Sequence, residues 1–314
     1  MNNIINRTAL AAILSVAVCT TTPAFAADDA ADMPVIITLK TNVYGYQGPT
    51  NNFTIYLGST EKDCEFYVSG PKTQEYIYVD PYTLGTDSNG DRAPIATAVT
   101  LSVTESDNKI EIRGDASKID YIDIHGCYMA EVDLSPALTN LSVVDFSHNE
   151  LKAVDLSAFP SLGSIDLLDN QFTDPQKMVI GTNHPNLLIL SVGINDVIDP
   201  QLDLKNFPDL QYFSARNNYG VTSVDPSGCP NLVSLVLEVT NITQLDVSKN
   251  LNLDVLNISN TKVTNIDLSH NANLGEFYAY VRDHGLEEEL NAATALDFAV
   301  EEYLGRQLKA NFAE

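Results

Sequence analysis

Residues 141–172 contain two copies of one sequence pattern. Residues 141–151 read LSVVDFSHNEL and residues 162–172 read LGSIDLLDNQF, so one spacing of apolar residues recurs after 21 positions. In both copies the first, fourth, sixth and eleventh places are apolar and the ninth is asparagine. A fixed period of roughly 20 to 50 residues is typical of a repeat protein, so internal repetition governs the interpretation of the whole chain.

The same register extends in both directions from this stretch. The repeats begin at Ile119, Leu141, Leu162, Leu187, Leu210, Leu232, Leu253 and Leu274. In every repeat the first, fourth and sixth places are apolar, and this alternation predicts a short strand with its apolar side facing the core. The short period leaves no room for a full helix opposite the strand, so extended or single-turn segments are expected there. The third repeat is longer, which predicts a helical turn within Asp174–Pro185.

The ninth place of the repeat carries a small polar residue. The series is Cys127, Asn149, Asn170, Asn195, Asn218, Thr240 and Thr261. An asparagine or cysteine that turns inward can satisfy backbone groups where the chain bends away from the sheet. The resulting pattern, L-x-x-L-x-L-x-x-N/C, resembles the leucine-rich-repeat family over about residues 118–285. Threonine departs from that pattern, so we expect the polar ladder to weaken from the sixth repeat onward.

This resemblance implies an α+β repeat solenoid, a leucine-rich-repeat horseshoe with a parallel concave sheet. The short repeats are similar to those of secreted bacterial leucine-rich-repeat proteins, including the internalins. Internalins carry a helical cap before the repeats and an immunoglobulin-like domain after them, whereas this chain shows the reverse order. Internalin-specific partners are therefore not carried over to it.

Strand-like segments precede the repeats. Residues 34–117 alternate apolar and polar side chains in six segments, separated by turn residues, which predicts a small β-sandwich-like domain. The segments are Val35–Lys40, Phe53–Leu57, Glu65–Val68, Tyr76–Val79, Ala98–Val103 and Lys109–Arg113. We expect the last of these strands to pair with, or lie over, the first repeat, because an exposed sheet edge invites aggregation.

A helical segment follows the repeats. Residues 286–314 are predicted to form a C-terminal helix that covers the last repeat, as a solenoid requires. Its apolar face combines Leu290, Ala293, Val300, Leu304 and Leu308.

The N-terminus has the features of an export signal. Arg7, the apolar run from Ala9 to Val18 and the small-x-small triplet at residues 24–26 predict a signal peptide over residues 1–26, followed by a short linker over residues 27–33. The alternative is a lipoprotein signal with Cys19 as the lipidated residue, but Val18 stands where a small residue is expected. No later apolar stretch reaches the roughly 20 residues of a membrane-spanning helix. We therefore expect a secreted or cell-surface protein without membrane insertion.

The charge balance narrows the classes of partner. The formal net charge is −25, which repels phosphate backbones and anionic lipids and argues against nucleic-acid and membrane-surface partners. Such a surface favours cationic partners or calcium, and it also serves solubility outside the cell.

Three cysteines follow the signal, at Cys64, Cys127 and Cys229, and the odd number excludes a fully paired disulfide framework. Cys127 and Cys229 lie four strand spacings apart, roughly 19 Å, so we expect no bond between them.

The third, fifth and seventh places of each repeat point away from the core, and we call their side chains the concave face. The candidate partner-binding residues on it are Tyr121, Asp123, Asp145, Asp166, Tyr212, Ser214, Arg216, Val236, Glu238, Asn257, Tyr278 and Tyr280. Tyr212, Arg216 and an exposed Val236 are expected to anchor the partner, while the aspartates act through long-range charge. Leu168, in the seventh place, is expected to be exposed.

Metal binding and catalysis are less well supported by the sequence than binding of a partner. Asp123, Asp145 and Asp166 on successive strands, with His125 beside them, could share a calcium ion, but solvated aspartates explain the same pattern. His125 and His148 lack a recognisable nucleophile, and the chain contains no triad, zinc or phosphate-loop motif, so we expect neither an enzyme nor a cofactor. Residues 87–91 imitate the start of a calcium loop, yet Asn89-Gly90 favours a hairpin turn there.

The sequence therefore predicts an exported recognition or adhesion protein that binds a protein or peptide partner, possibly on a host or cell surface, through the concave face. One alternative is a glycan-binding module that uses the tyrosines. The other is a structural component of a surface assembly in which the N-terminal domain, with Tyr76, Tyr78 and Tyr82, makes the contact.

Overall fold

The structure, a computed structural model, describes residues 30, 32–42, 52–86, 92–104, 107–195 and 203–278. They belong to two compact units, one ending at Val143 and the other beginning at Val144. The predicted signal peptide, most of the predicted linker and the predicted C-terminal helix lie outside the described residues. In the described part of the chain, no helix has both the length and the apolar composition needed to cross a membrane.

The first unit is built from β-strands. They are β1 (Val35–Thr41), β2 (Asn52–Ser59), β3 (Cys64–Ser69), β4 (Gln74–Val79), β5 (Thr83–Thr86), β6 (Arg92–Ile95), β7 (Thr97–Ser102), β8 (Lys109–Gly114), β9 (Ile119–Asp123) and β10 (Met129–Leu134). All six predicted strands are present close to their predicted bounds. Strands β5 and β6 were not among the six predicted segments, but they pair antiparallel on either side of Asn89-Gly90, as the hairpin turn predicted there implies. The turn itself lies outside the described residues.

Strands of the first repeat share sheets with the N-terminal strands. One sheet has the order β10-β1-β8-β3-β4, and in the other β9 is followed by β2 and β7. Strand β2 runs antiparallel to β9, with Leu57 opposite Ile122. Pairing of the last N-terminal strand with the first repeat is wrong, because β8 pairs with β1 and β3 and buries Ile110 and Ile112 completely. The alternative that this strand lies over the first repeat stays a prediction. The sandwich arrangement and the domain bounds stay predictions.

The second unit is a β-solenoid with a parallel sheet, as the repeats predict. Its strands are β11 (Val143–Asp145), β12 (Val154–Asp155), β13 (Ser164–Asp166), β14 (Met178–Val179), β15 (Ile189–Ser191), β16 (Tyr212–Ser214), β17 (Ser234–Val236), β18 (Val255–Asn257) and β19 (Glu276–Tyr278). Strands β13, β15, β16, β17, β18 and β19 pair parallel and in register, so Leu190 lies opposite Phe213. Single 3-10 turns form the opposite side, and the turn at Pro175–Lys177 confirms the one predicted in the long repeat.

The ninth-place asparagines form a ladder of hydrogen bonds between repeats. Asn195 Nδ2 donates to the carbonyl of Leu167 in the preceding repeat at 3.0 Å and to those of Val192 and Gly193 in its own. In contrast, Thr240 Oγ1 donates only to Leu237, within its own repeat. The predicted weakening of the ladder at the sixth repeat is confirmed.

A second buried column, which the sequence analysis missed, occupies the place three residues before each repeat begins, and we call it the convex column. Its members in the second unit are Phe159, His184, Phe207, Cys229, Asn250 and Asn271. Asn250 Nδ2 donates to the carbonyls of Pro226 and Cys229, and Asn271 Nδ2 donates to those of Val247 and Asn250. Polar bridging between repeats therefore continues in the convex column where the ninth-place ladder ends.

Exposed aspartates cap the turns that precede the convex column. In the second unit Asp155, Asp203, Asp225, Asp246 and Asp267 each accept a hydrogen bond from the backbone N–H two residues later. A hydrogen bond from Lys205 and two from Ser227 lower the pKa of Asp225 to about 2. Part of the negative charge of this chain thus has a structural task in the turns.

The eighth place of each repeat adopts a left-handed backbone conformation. His148, Asp169, Asn217 and Asn260 have φ near 55°, as do the β-branched residues Ile194 and Val239, at 50° and 56°. Left-handed φ is unfavourable for L-residues by roughly 1–2 kcal/mol, and most of all for β-branched ones. Ile194 and Val239 are therefore strained positions in the solenoid.

Replacing Val239 with glycine should raise the free energy of unfolding by about 0.5–1 kcal/mol, because glycine adopts this φ without steric strain. Chemical denaturation of the two proteins measures the difference. The matched control is Asn217→Gly at the equivalent place, which should change stability by less than about 0.5 kcal/mol, since asparagine already tolerates the conformation. A loss of stability for Val239→Gly would contradict the assignment of strain.

Candidate functional site

Most of the candidate residues on the concave face are shielded from solvent. The buried ones are Tyr121, Asp123, Tyr212, Ser214, Val236 and Asn257. The partly exposed ones are Asp145, Asp166, Arg216 and Glu238. Tyr278 belongs to β19, and Tyr280 lies outside the described residues. The expectation of an exposed valine is wrong, because Val236 is only 3% exposed.

Leu168 shows how the concave face closes. It is fully buried, so the expectation that it is exposed is wrong. Its neighbour in the next strand is Gly193, and a Cβ at that glycine would lie 2.8 Å from Arg216 Cγ and 3.0 Å from Leu168 Cδ1. The missing side chain therefore lets Leu168 and the stem of Arg216 approach each other over the glycine.

The accessible part of this surface is charged. Arg216 Nη1 lies 4.0 Å from Glu238 Oε1, and Glu238 Oε2 accepts a hydrogen bond of 2.7 Å from Asn257 Nδ2. The side chains of Arg216 and Glu238 are 18% and 21% exposed. We call Arg216 and Glu238 the charged row. The hydrogen bond to Asn257 holds the Glu238 carboxylate in place, while its other oxygen and the guanidinium stay within reach of solvent.

The fifth-place aspartates have a structural role. Asp145 Oδ1 accepts hydrogen bonds from the backbone N–H of Ser147 at 3.0 Å and from its hydroxyl at 2.6 Å. Asp166 Oδ1 likewise accepts from the backbone N–H of Leu168 at 2.9 Å. Each carboxylate stabilises the end of its own strand, which accounts for aspartate at this place without a bound ion. Calcium stays an untested alternative.

An aromatic and polar cluster surrounds Asp123 in the first unit. Asp123 Oδ1 accepts a hydrogen bond from the backbone N–H of His125 and lies 2.7 Å from its Nδ1. The Tyr121 hydroxyl donates to the other carboxylate oxygen at 3.3 Å, and the Tyr56 ring is parallel to the His125 ring. Burial and the charge of Asp123 raise the pKa of Tyr56. Sequence analysis missed Tyr56 because it lies on β2, outside the repeat register.

A cysteine thiol lies beside this cluster. The nearby thiol of Cys127 is buried and donates to the carbonyls of Thr54 and His125. In the part of the chain that the structure describes, Cys64, Cys127 and Cys229 are free thiols, which agrees with the expectation of no Cys127–Cys229 bond. Burial raises the pKa of Cys229 to about 12, so its reactive thiolate form is suppressed.

Asp120, at the second place of the first repeat, is a buried ionisable group in the first unit. It is 8% exposed, and its Oδ1 has no hydrogen-bond partner. Gly58 on β2 lies against it, since a Cβ there would be 3.2 Å from Asp120 Oδ1. Burial raises the pKa of Asp120 to about 7.

No known protein-family model matches this chain, and no curated protein does either. Three solved structures resemble it in part. A leucine-rich-repeat protein of Leptospira interrogans is 22% identical over 46% of this chain and 45% of that protein, with a TM-score of 0.37. Internalin C2 of Listeria monocytogenes is 17% identical over 53% and 82%, with a TM-score of 0.40.

The third structure is the leucine-rich-repeat ectodomain of the plant membrane receptor kinase GASSHO1/SCHENGEN3 from Arabidopsis thaliana, in complex with CASPARIAN STRIP INTEGRITY FACTOR 2. It is 21% identical over 52% of this chain and 22% of that one, with a TM-score of 0.42. The chain spans less than half the length of the Leptospira protein and of the receptor ectodomain.

Replacing Leu168 with alanine should lower the free energy of unfolding by about 2–5 kcal/mol, as for Leu190→Ala, because both side chains are fully buried. Chemical denaturation measures both losses. The control is Leu251→Ala, which should cost less than about 1 kcal/mol since Leu251 is 55% exposed. A Leu168 variant as stable as the Leu251 variant would show that the concave face is open at this point.

Replacing Asp120 with asparagine should remove a pH dependence of stability. The folded-state pKa lies near 7 and the unfolded one near 4, so between these values the folded state retains a proton that the unfolded state has lost. Stability contributed by the protonated carboxyl is complete below about pH 4 and is lost as the pH rises to about 7. Across this window the free energy of unfolding of the variant should increase relative to that of wild type, by up to about 4 kcal/mol. Urea denaturation at several pH values would show a constant difference if Asp120 were ionised throughout.

Proposed function

We propose that this chain is an exported recognition protein that binds a protein or peptide partner through the concave face of its repeats. The observation that carries the proposal is the charged row, which is partly exposed on a sheet face that is otherwise largely closed. Stacked parallel strands offer an extended surface that repeat proteins use for binding. The export signal inferred from Arg7 and residues 9–26 supports a secreted or cell-surface location.

The burial pattern changes the chemistry expected of the partner. Tyr212 and Val236 are too buried to anchor it, so contact falls to the charged row and to Asp145 and Asp166. Arginine pairs with carboxylates through two parallel hydrogen bonds, whereas the aspartates and Glu238 attract cations. The partner that suits this surface is a basic segment carrying at least one carboxylate opposite Arg216. A cationic segment is also attracted by the net charge of −25.

The glycan-binding alternative loses part of its basis. It rested on concave tyrosines as stacking platforms for sugar rings, and Tyr121 and Tyr212 are buried. The alternative of a surface assembly places the contact with other molecules on the first unit.

The test begins with a pull-down of the mature, tagged protein against outer-surface and host-cell extracts, followed by surface plasmon resonance with the captured partner. Arg216→Met keeps an aliphatic stem beside Gly193 and removes the guanidinium, so it should weaken binding about tenfold without lowering the melting temperature.

The matched control is Lys249→Met. It removes the same charge from an exposed site preceding the convex column and should leave affinity within about twofold. Full affinity for an Arg216→Met, Glu238→Gln double variant that is folded by circular dichroism would exclude the charged row as the binding site.

A further inference from the structure

His184 lies in the convex column of the long repeat and is completely buried. Its Nδ1 lies 3.0 Å from the carbonyl oxygen of Phe159 in the preceding repeat, and its Nε2 is within hydrogen-bonding distance of the carbonyl oxygen of Ile180. A carbonyl oxygen only accepts hydrogen bonds, so each ring nitrogen has to donate one. Neutral imidazole carries a hydrogen on one nitrogen, whereas imidazolium carries one on both. Both contacts are therefore hydrogen bonds only when the ring is protonated.

Other polar members of the convex column also donate to two carbonyls. Asn250 Nδ2 donates to the carbonyls of Pro226 and Cys229, using the two hydrogens of one neutral amide. His184 meets the same demand for two donors, but it can do so only as a cation. The bridge in the long repeat therefore depends on a bound proton, whereas the bridge at Asn250 does not.

The two hydrogen bonds of His184 hold a segment that lies directly on the preceding repeat. Strand β14 pairs with β12, with Met178 opposite Val154. Gly181 follows with φ 90°, and a Cβ there would lie 2.7 Å from Ser157 Cα, so backbone packs on backbone at this point. Loss of either hydrogen bond leaves a buried carbonyl without that donor, which is unfavourable. Residues 178–184 keep this position most firmly while both nitrogens of the ring donate.

The charged groups near the ring lie at the surface of the solenoid. The ring of Phe207 in the following repeat packs against His184, with the two centroids 6.3 Å apart. The charged side chains on the three elements around the imidazole are exposed or partly exposed: Asp155, Asp174, Lys177, Asp203, Lys205 and Asp209. Burial disfavours a cation, so the two carbonyls and the surrounding excess of acids are what retain the proton.

We propose that His184 is a pH-sensitive clamp on the long repeat. The doubly protonated ring fastens residues 178–184 to the preceding repeat, and release of one proton to solvent as the pH rises frees a buried carbonyl and loosens this segment. Histidine is the side chain that ordinarily changes its charge between about pH 5 and 8. The clamp goes beyond the proposed function, because it does not depend on any partner of the concave face.

The protonation of the ring can be measured directly by NMR of the mature protein labelled with ¹⁵N-histidine, from about pH 5 to about pH 8.5. The chain contains five histidines, and the signals of His184 are those missing from a His184→Asn variant. Both ring nitrogens should carry hydrogen at the lowest pH and only one at the highest. A single protonated nitrogen at the lowest pH, or two at the highest, would overturn the proposal.

Hydrogen–deuterium exchange tests whether the segment responds. The amide of Leu156 donates to the carbonyl of Val179, and that of Leu187 donates to the carbonyl of His184, so both report on the clamped segment. The ratio of their exchange rates in wild type to those in His184→Asn should rise at least about threefold from pH 5 to pH 8.5. Asparagine keeps two hydrogens at every pH, and both proteins contain the same carboxylates, so other titrations cancel in the ratio.

A second variant keeps the test decisive if His184→Asn does not fold by circular dichroism. His184→Phe then becomes the reference, since phenylalanine occupies the same place at Phe159 and Phe207. A ratio of exchange rates that stays constant with pH would overturn the clamp even if the ring itself titrates.

Discussion

Each turn of this solenoid has to satisfy backbone carbonyls that point into its interior, away from water. The ninth-place asparagine does this by bridging two repeats, as when Asn170 Nδ2 donates to the carbonyls of Phe146 and Leu167 while Oδ1 accepts from the N–H of Leu151. An unpaired buried carbonyl costs about 1–3 kcal/mol, so without such bridges the stacked turns would lose much of their stability. The apolar columns can pack only because this requirement is met at the bend.

The left-handed eighth place follows from the same requirement. A backbone with φ near 55° turns the chain sharply enough that the next side chain enters the interior and meets the carbonyls. Asparagine or aspartate suits that conformation at Asp169 and Asn217, but Ile194 and Val239 adopt it as well. The geometry of the bend therefore prevails over the local preference of the residue that makes it, as expected where surrounding structure determines a strained backbone.

The repeats could be predicted because apolar side chains such as Leu190 and Leu235 face one core at a fixed period. The burial of the concave face could not be predicted, because it depends on how side chains of different size fit together across neighbouring strands. Gly193 lies between Leu168 and Arg216, and the sequence of one repeat alone does not reveal this fit. The convex column escaped notice because phenylalanine, histidine, cysteine and asparagine share a place there without sharing hydropathy. The pairing of β2 with β9 is non-local, so alternation within one segment could not identify it.

The strand-end asparagine bridges stop after Asn218, whereas the convex column carries polar bridges at His184 and Cys229 as well as at Asn250 and Asn271. Repeats of equal length are consequently not interchangeable modules. Recombination between two repeats that both carry a strand-end asparagine preserves every bridge across the new junction. A junction between a repeat from the middle and one from the end leaves the carbonyls of one turn facing a threonine or a phenylalanine that cannot reach them. Exchange of repeats within one class would therefore preserve bridges that exchange between classes would break.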